Sequence, residues 1–327
     1  MEKILITGAT GFIGKHLLKL LLEEQFAVRA LIRNQQQSTL LPSATDCFIG
    51  DLSDPKSLIG VCDNIDTVFH LGGYAHAWDE KNSSFADQHH TINYLGTKNV
   101  LEEALRAKVK SFIYFSTVKA VADSEKYIDE SWEEQPNSPY GIAKRKAEKF
   151  VLEHKRDMHV CVLRPALVYG PQWKGNLAAM LRAIDRGIFL PLPETHNQRS
   201  LVSINDVCKA AILAVRNLTA NGKIYFVTDG TFYSTRRLYV AMCHALGRRI
   251  PSWHVPLWFF KVLARIGDLG TKITRRRLPF SSDALTKLFG SAQYSSQRIQ
   301  QDLHFKAGYD LEKMLPEIIS AYRKQPQ

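Results

Sequence analysis

Cysteine is scarce and unpatterned in this chain. Five of them, at 47, 62, 161, 208 and 243, are scattered over 327 residues, odd in number and without CxxC spacing. Reduced, buried thiols fit that pattern, and neither a disulfide framework nor a zinc site is expected. The histidines show no ligand spacing either; His89 and His90 are neighbours and do not share a helix face, so no metal is expected. A long hydrophobic run is also missing. The longest apolar stretch, "IPSWHVPLWFFKVLARIGDLG", is broken by Lys261, Arg265 and Asp268 and makes a poor membrane span. The opening residues carry no basic n-region and no cleavage-site pattern, so a secretory signal is not expected and a cytoplasmic location is. No internal repeat is present, and the polar "NQQQS" at 34–38 is too short for a functional low-complexity tract.

Acidic residues are the minority: 32 Asp and Glu stand against 43 Lys and Arg, for a net charge of +11. The basic residues are nevertheless spread along the chain, with no aromatic-interleaved repeat and no recognition-helix pattern, and a nucleic-acid partner is not expected. One run, "KITRRR" at 272–277, follows the amphipathic stretch. It reads as a solvated helix end or as a contact with an anionic membrane surface or acidic ligand. The second reading gives peripheral membrane contact through 256–277, at the inner face of the membrane.

What is present is an alternation. Short Val/Ile/Leu/Phe runs at 3–7, 27–32, 47–50, 66–71, 111–116, 159–164 and 224–227 read as strands. Between them, stretches such as 12–24, 85–107 and 139–156 repeat apolar residues at helical spacing. Unbroken apolar strands alternating with helices predict an α/β fold with a parallel sheet covered on both faces. After residue 170, proline and glycine become frequent and the elements irregular, with a closing helix over 311–323.

The first strand runs into "TGATGFIG", which places Gly8, Gly11 and Gly14 at the start of the first helix. The early glycines permit a tight turn and close backbone approach, the last lets helix and strand pack, and the helix N-terminus offers free amides to a pyrophosphate. This predicts a dinucleotide site on a Rossmann-type, doubly wound sheet. At the end of the second strand, where an acid would bind the ribose 2′-hydroxyl of NAD, stands Arg33. A guanidinium suits a 2′-phosphate, so NADP is the expected cofactor, tightly bound NAD being the alternative if Arg33 stacks on adenine or points to water. Asp51, in "GDLSD", is placed to accept from the adenine amino group, and Gly72 and Gly73 end the fourth strand where backbone must approach a ligand.

Tyr140 and Lys144, in "SPYGIAKRKAEKF", are four apart and share a helix face. A nearby ammonium and an oxidised nicotinamide favour the phenolate, which predicts a tyrosine pKa pulled down toward the working range. "FIYFSTVKA" ends a strand in Ser116 and Thr117, and the Thr117 hydroxyl is placed to hold the oxygen on which Tyr140 acts.

Together, "TGATGFIG", "GDLSD", "HLGG", "FST", "PYGIAK" and "LRPALVYGP" resemble the extended short-chain dehydrogenase/reductases of the NAD-dependent epimerase/dehydratase family, over essentially the whole chain. The resemblance implies an NAD(P)-dependent enzyme in which Tyr140 is the acid/base, Lys144 binds the nicotinamide ribose and tunes it, and Thr117 bonds the substrate oxygen. Where that family more often has serine and then "VYG", this chain reads "AVAD", and Ser116 or Val118 takes the hydroxyl position under another alignment. The resemblance also implies that Phe12, Ile13, Leu52, Leu71 and Pro165 line the cofactor with Tyr140 and Lys144. It implies a cofactor-binding domain over 1–170 and a smaller, intertwined substrate lobe over 171–327.

The second half resembles bacterial members acting on UDP-linked hexoses, which implies that Asn176 and Arg199 contact the diphosphate region. Arg199, in a loop before a strand, could pair bidentately with phosphate, a surface ion pair being the alternative, and Asn176 could instead cap a helix. The "Arg-x-Gly-Asp" context of many relatives is absent, with "GSAQYSSQR" in its place. The implied reaction is at C4 of a UDP-linked N-acetylhexosamine for surface polysaccharide, as a 4-ketoreductase or 4-epimerase, or as a 4-epimerase on a polyprenyl-diphosphate carrier. Val118 and Lys119 stand where dehydratases add an acidic pair. A non-catalytic NADP-binding regulator is the reading of another class. Relatives commonly dimerise through helices equivalent to 85–107 and 139–156, which implies a homodimer.

Overall fold

The computed structural model describes residues 2–74, 83–274 and 280–324. Seven parallel strands form its central sheet. In chain order these are β1 (Lys3–Thr7), β2 (Ala27–Ile32), β3 (Asp46–Ile49), β4 (Thr67–His70), β5 (Ser111–Phe115), β7 (His159–Pro165) and β10 (Lys223–Val227). The two-residue β6 (Tyr127–Ile128) lies outside the sheet. Their spatial order is β10-β7-β5-β4-β1-β2-β3, so the chain winds outward from β1 in one direction and then from β4 in the other. The point of reversal, between β1 and β4, opens a crevice at the strands' C-terminal ends, where such sheets bind ligands.

The apolar runs are continuous because both faces are covered. On β5, Phe112 and Tyr114 face one core, with Leu5, Val68, Val100 and Val151, while Ile113 and Phe115 face the other, with Ile6, Leu17, Phe69 and Ala211. Helices α1 (Phe12–Glu23), α2 (Ser83–Gln88), α3 (Gly96–Arg106), α4 (Pro139–Glu153), α5 (Asn176–Asp185) and α6 (Ile204–Arg216) follow in order. The expected single helix over 85–107 is three pieces, since a π-helical segment, His89–Leu95, separates α2 from α3.

Beyond residue 165 the chain leaves the sheet for β8 (Leu167–Tyr169) and β9 (Arg199–Ser203), which pair with each other, and returns to it as β10. A short β11 (Phe232–Tyr233) pairs antiparallel with β9 and leads into α7 (Thr235–Leu246). A separate core gathers Tyr169, Trp173, Leu181, Met242, Leu315 and Ile318 from these segments and from the last helix. The remaining elements are α8 (Leu257–Thr274), α9 (Ser282–Phe289), β12 (Gln293–Tyr294), α10 (Gln297–Leu303) and α11 (Leu311–Arg323). This late segment reaches far back along the chain. Gln293 pairs with Tyr127, Ala292 bridges Arg199, and Asp302 accepts from Lys223 and Tyr225 of β10.

Candidate active site

The glycine loop is shaped by its neighbours. Gly8 has φ of +71°, and a Cβ there would lie 2.8 Å from the Gly72 nitrogen. A Cβ on Gly14 would strike the Gly8 carbonyl, so α1 packs on the loop only without a side chain at that position. Gly11 caps α1 with no side-chain bond, and no acid occupies the first turn. By contrast α4, α6, α7, α9 and α11 are each capped by a serine or aspartate side chain. The bare amides of α1 therefore face the crevice ready for an anion, which fits a dinucleotide pyrophosphate. Phe12 opens α1 and packs on the second core, edge-on to His16, while Ile13 packs on the sheet core.

Gly8→Ala is expected to weaken NAD(P) binding more than about tenfold, since the methyl collides with backbone and must hold an αL conformation. Titration calorimetry checks this, and unchanged affinity would remove the loop from the cofactor site.

A buried hydrogen-bond chain fixes the opposite wall. The Gly72 N–H donates to Thr7 Oγ1 at 2.9 Å, which leaves the Thr7 hydroxyl to donate to His70 Nδ1 at 2.7 Å. His70 Nε2 then donates to Thr97 Oγ1 at 3.0 Å, and Thr97 donates to the Asn93 carbonyl. Burial, reinforced by the Lys144 charge, holds the His70 imidazole neutral with a pKa of about 3. Asn93, in the π-helical segment, clamps residue 74 from both sides: its Nδ2 donates to the Tyr74 carbonyl and its Oδ1 accepts the Tyr74 N–H. The wide turn of a π segment presents Asn93 and His89, which are hydrogen-bonded to each other, toward the end of β4. Leu71 is tied to β1 by its N–H to the Thr7 carbonyl, and Leu52 packs against Gly72 and Gly96.

The adenosine end is open. The Asp51 carboxylate accepts from the Ser53 amide and hydroxyl, and these bonds, helped by the Arg33 charge, lower its pKa. Arg33 is exposed, its backbone held by Gln37.

Thr117, Tyr140 and Lys144 come together at the C-terminal end of β5. Lys144 is buried on α4, and its Nζ donates to the Phe115 carbonyl at 2.7 Å and lies 4.5 Å over the Tyr114 ring. Burial lowers its pKa to about 8, against the opposing charge of Glu148. A Cβ on Gly73 would be 3.9 Å from that Nζ, which places the lysine beside the end of β4. Tyr140 stands edge-on to His89 at 5.5 Å, with the Thr117 hydroxyl beside its phenol.

Burial pushes Tyr140 up to about 12, and only the Thr117 hydrogen bond opposes the rise. The Lys144 ammonium is engaged by the Phe115 carbonyl.

Of the alternatives to Thr117, Val118 is buried and has no hydroxyl, whereas Ser116 is 6% exposed and its Oγ has no hydrogen-bond partner. Pro165 ends β7 opposite Val227. Asn176 is the exposed first residue of α5, following Gly175. The Arg199 guanidinium donates to the carbonyls of Lys287 and Gly290, bracing the turn after α9, and its burial lowers its pKa. Among the described residues neither Asn176 nor Arg199 hydrogen-bonds to Thr117, Tyr140 or Lys144. His76, and part of the 256–277 stretch, lie outside the described residues.

The loop, the acid after β3 and the Thr/Tyr/Lys cluster lie in one crevice in the order a dinucleotide enzyme needs. A model for the NAD dependent epimerase/dehydratase family matches residues 4–227. The chain belongs to that family. As a family member it is an NAD(P)-dependent enzyme on a Rossmann-type fold. A UDP-glucose 4-epimerase of Vibrio cholerae is 28% identical over 98% of this chain and 95% of its own length. The N-acetyl-alpha-D-glucosaminyl-diphospho-ditrans,octacis-undecaprenol 4-epimerase of Escherichia coli O157:H7 is 26% identical over 96% and 93%. Among solved structures, the UDP-glucose 4-epimerase of Thermotoga maritima with UDP-glucose shares the fold at a TM-score of 0.78 and 22% identity, covering 98% of this chain and 99% of that one.

Two parts of this family member's site escape a reading by motif. One is the Thr7–His70–Thr97–Asn93 chain, whose signal is a set of polar residues inside otherwise apolar elements. The other is Glu148, one turn beyond Lys144, which lies 1% exposed and grips Arg164 of β7 through two bonds of 2.8 and 2.6 Å.

Proposed function

We propose that this enzyme is a 4-epimerase of a diphosphate-linked hexose, with a UDP-linked N-acetylhexosamine as the first substrate to test. The observation that carries the reading is the Tyr140 phenol beside the Thr117 hydroxyl, with the buried Lys144 held at the end of β5. That pair presents one hydroxyl to orient a sugar C4 oxygen and one phenol to exchange its proton, in whichever direction the cofactor's oxidation state requires. Both relatives reported above carry 4-epimerase names, one for a UDP-sugar and one for an undecaprenol-linked sugar.

A bound nicotinamide would take the C4 hydride and return it to the other face of the ring. The chain's own residues do the rest. The Tyr140 phenolate removes the C4 hydroxyl proton as the C–H bond breaks, and the phenol returns it when the hydride comes back. Thr117 holds the C4 oxygen through both half-reactions, and the buried Lys144 contributes positive charge in favour of the phenolate. Asn176 and Arg199 are assigned to the diphosphate, which requires the Arg199 guanidinium to exchange its carbonyl partners for phosphate oxygens.

A 4-ketoreductase using NADPH is the second reading, favoured by Arg33 at the ribose position. Cofactor handling separates the two. For an epimerase, purified protein carries NAD detectable by native mass spectrometry, and UDP-N-acetylglucosamine converts to its C4 epimer without added cofactor. An empty protein that takes up NADPH and consumes it stoichiometrically with a 4-keto sugar would replace the epimerase reading with the reductase.

A further inference from the structure

Helix α8 is apolar on two sides. One side is used: Phe260 and Ala264 are buried, and Phe260 packs against Phe280 and Phe289 at centroid distances of 6.0 and 5.3 Å. Gly267 faces the backbone of Phe280, and Asp268 binds the amide and hydroxyl of Ser282 at the start of α9. The other side is bare. Trp258, Val262, Ile266 and Leu269, spaced by four, four and three residues, are 65%, 45%, 59% and 59% exposed. They form one stripe about 16 Å long. A soluble surface scatters such residues singly, whereas a continuous stripe marks a contact.

The charges beside the stripe say which contact. Lys261 and Arg265 are exposed and each precedes a stripe residue, while the helix's one acid, Asp268, is turned to α9. Just before the helix, Trp253 is 59% exposed on a segment held by the Val255 N–H to the Pro191 carbonyl. An aromatic and aliphatic face rimmed by cations, on a chain of net charge +11, has the chemistry of a helix lying in the interface of an anionic lipid bilayer. No helix of the described residues is long and apolar enough to cross a membrane, so the contact lies on the surface.

We infer that α8 docks this enzyme onto an anionic membrane surface, with Trp258, Val262, Ile266 and Leu269 in the acyl boundary and Lys261 and Arg265 among the headgroups. Docking does not depend on the proposed function, because the face is built whatever sugar the crevice takes. Its test does not read turnover.

The test is co-sedimentation of the full chain with vesicles of phosphatidylglycerol and phosphatidylethanolamine, and with vesicles of phosphatidylcholine alone. The protein is expected to sediment with the first and much less with the second. Trp258→Glu with Ile266→Glu should lower the partition coefficient more than about tenfold. Lys261→Glu with Arg265→Glu keeps the stripe and should lose the preference for anionic vesicles, which guards against misfolding of the first variant. Both are expected to keep wild-type turnover of a soluble sugar nucleotide. Absence of sedimentation, or sedimentation untouched by either pair, overturns the inference. So does a dimer in lipid-free solution that the first pair converts to monomer, which would assign the stripe to a second copy of the chain.

Discussion

Tyr140→Phe is expected to lower kcat by about a thousandfold while leaving NAD(P) affinity within about twofold. The substitution removes one oxygen and keeps the ring that packs edge-on to His89, so α4 and the crevice stay in place. Lys144 keeps the Phe115 carbonyl, and Thr117 keeps its bond from the Lys119 amide. The pH profile gives a second readout. Burial pushes the phenol to about 12 in the protein alone, so at neutral pH the base form depends on positive charge brought by the bound cofactor. Wild-type turnover should therefore rise with pH until the phenol of the complex is titrated, and the residual rate of the Phe variant should be flat over the same range. Steady-state kinetics with cofactor titration by fluorescence checks both. Full activity in the variant would dismiss Tyr140 as the acid/base.

The largest effect on stability is expected at Glu148. Its carboxylate and the Arg164 guanidinium are 1% and 0% exposed and joined by two bonds, and Arg164 Nη1 already lacks a partner. Glu148→Ala leaves a fully buried cation without its counter-charge, a loss of about 3–5 kcal/mol. Chemical denaturation should show it as a lowered midpoint. Replacing both residues, Glu148→Leu with Arg164→Met, removes the stranded charge and should recover most of the loss. A Glu148→Ala protein as stable as the parent would show that the pair contributes nothing. The same variant tests the link to the site. The Glu148 charge opposes the fall in the Lys144 pKa, so its removal should move the Lys144 titration further below about 8.

The seven central strands are legible because both faces of each are buried, which turns a strand such as "SFIYF" into an unbroken apolar run. The glycine loop is legible because each glycine occupies a place where a Cβ would meet backbone. The π segment is not, since a single widened turn shifts the helical period by one residue and the run over 85–107 keeps its apolar repeat. The short β8, β9 and β12 carry two to five residues each, and what pairs them lies far away in sequence. The burial that raises the Tyr140 pKa in the protein alone is not legible either, because spacing reveals a neighbouring charge but not how dry the pocket is. Arg199 shows the same limit: its residue type suits phosphate, and its present partners are two carbonyls that no motif announces.

The return of residues 292–303 to Tyr127, Arg199 and β10 has a consequence for the protein's synthesis. At translation rates of about 5–20 residues per second, Tyr127 leaves the ribosome roughly ten to thirty seconds before Gln293 can pair with it. Through that interval the nascent chain carries β10 without the Asp302 carboxylate that binds Lys223 and Tyr225. The pairing of β6 and the ties on β10 are completed only after residues 293–302 have been made.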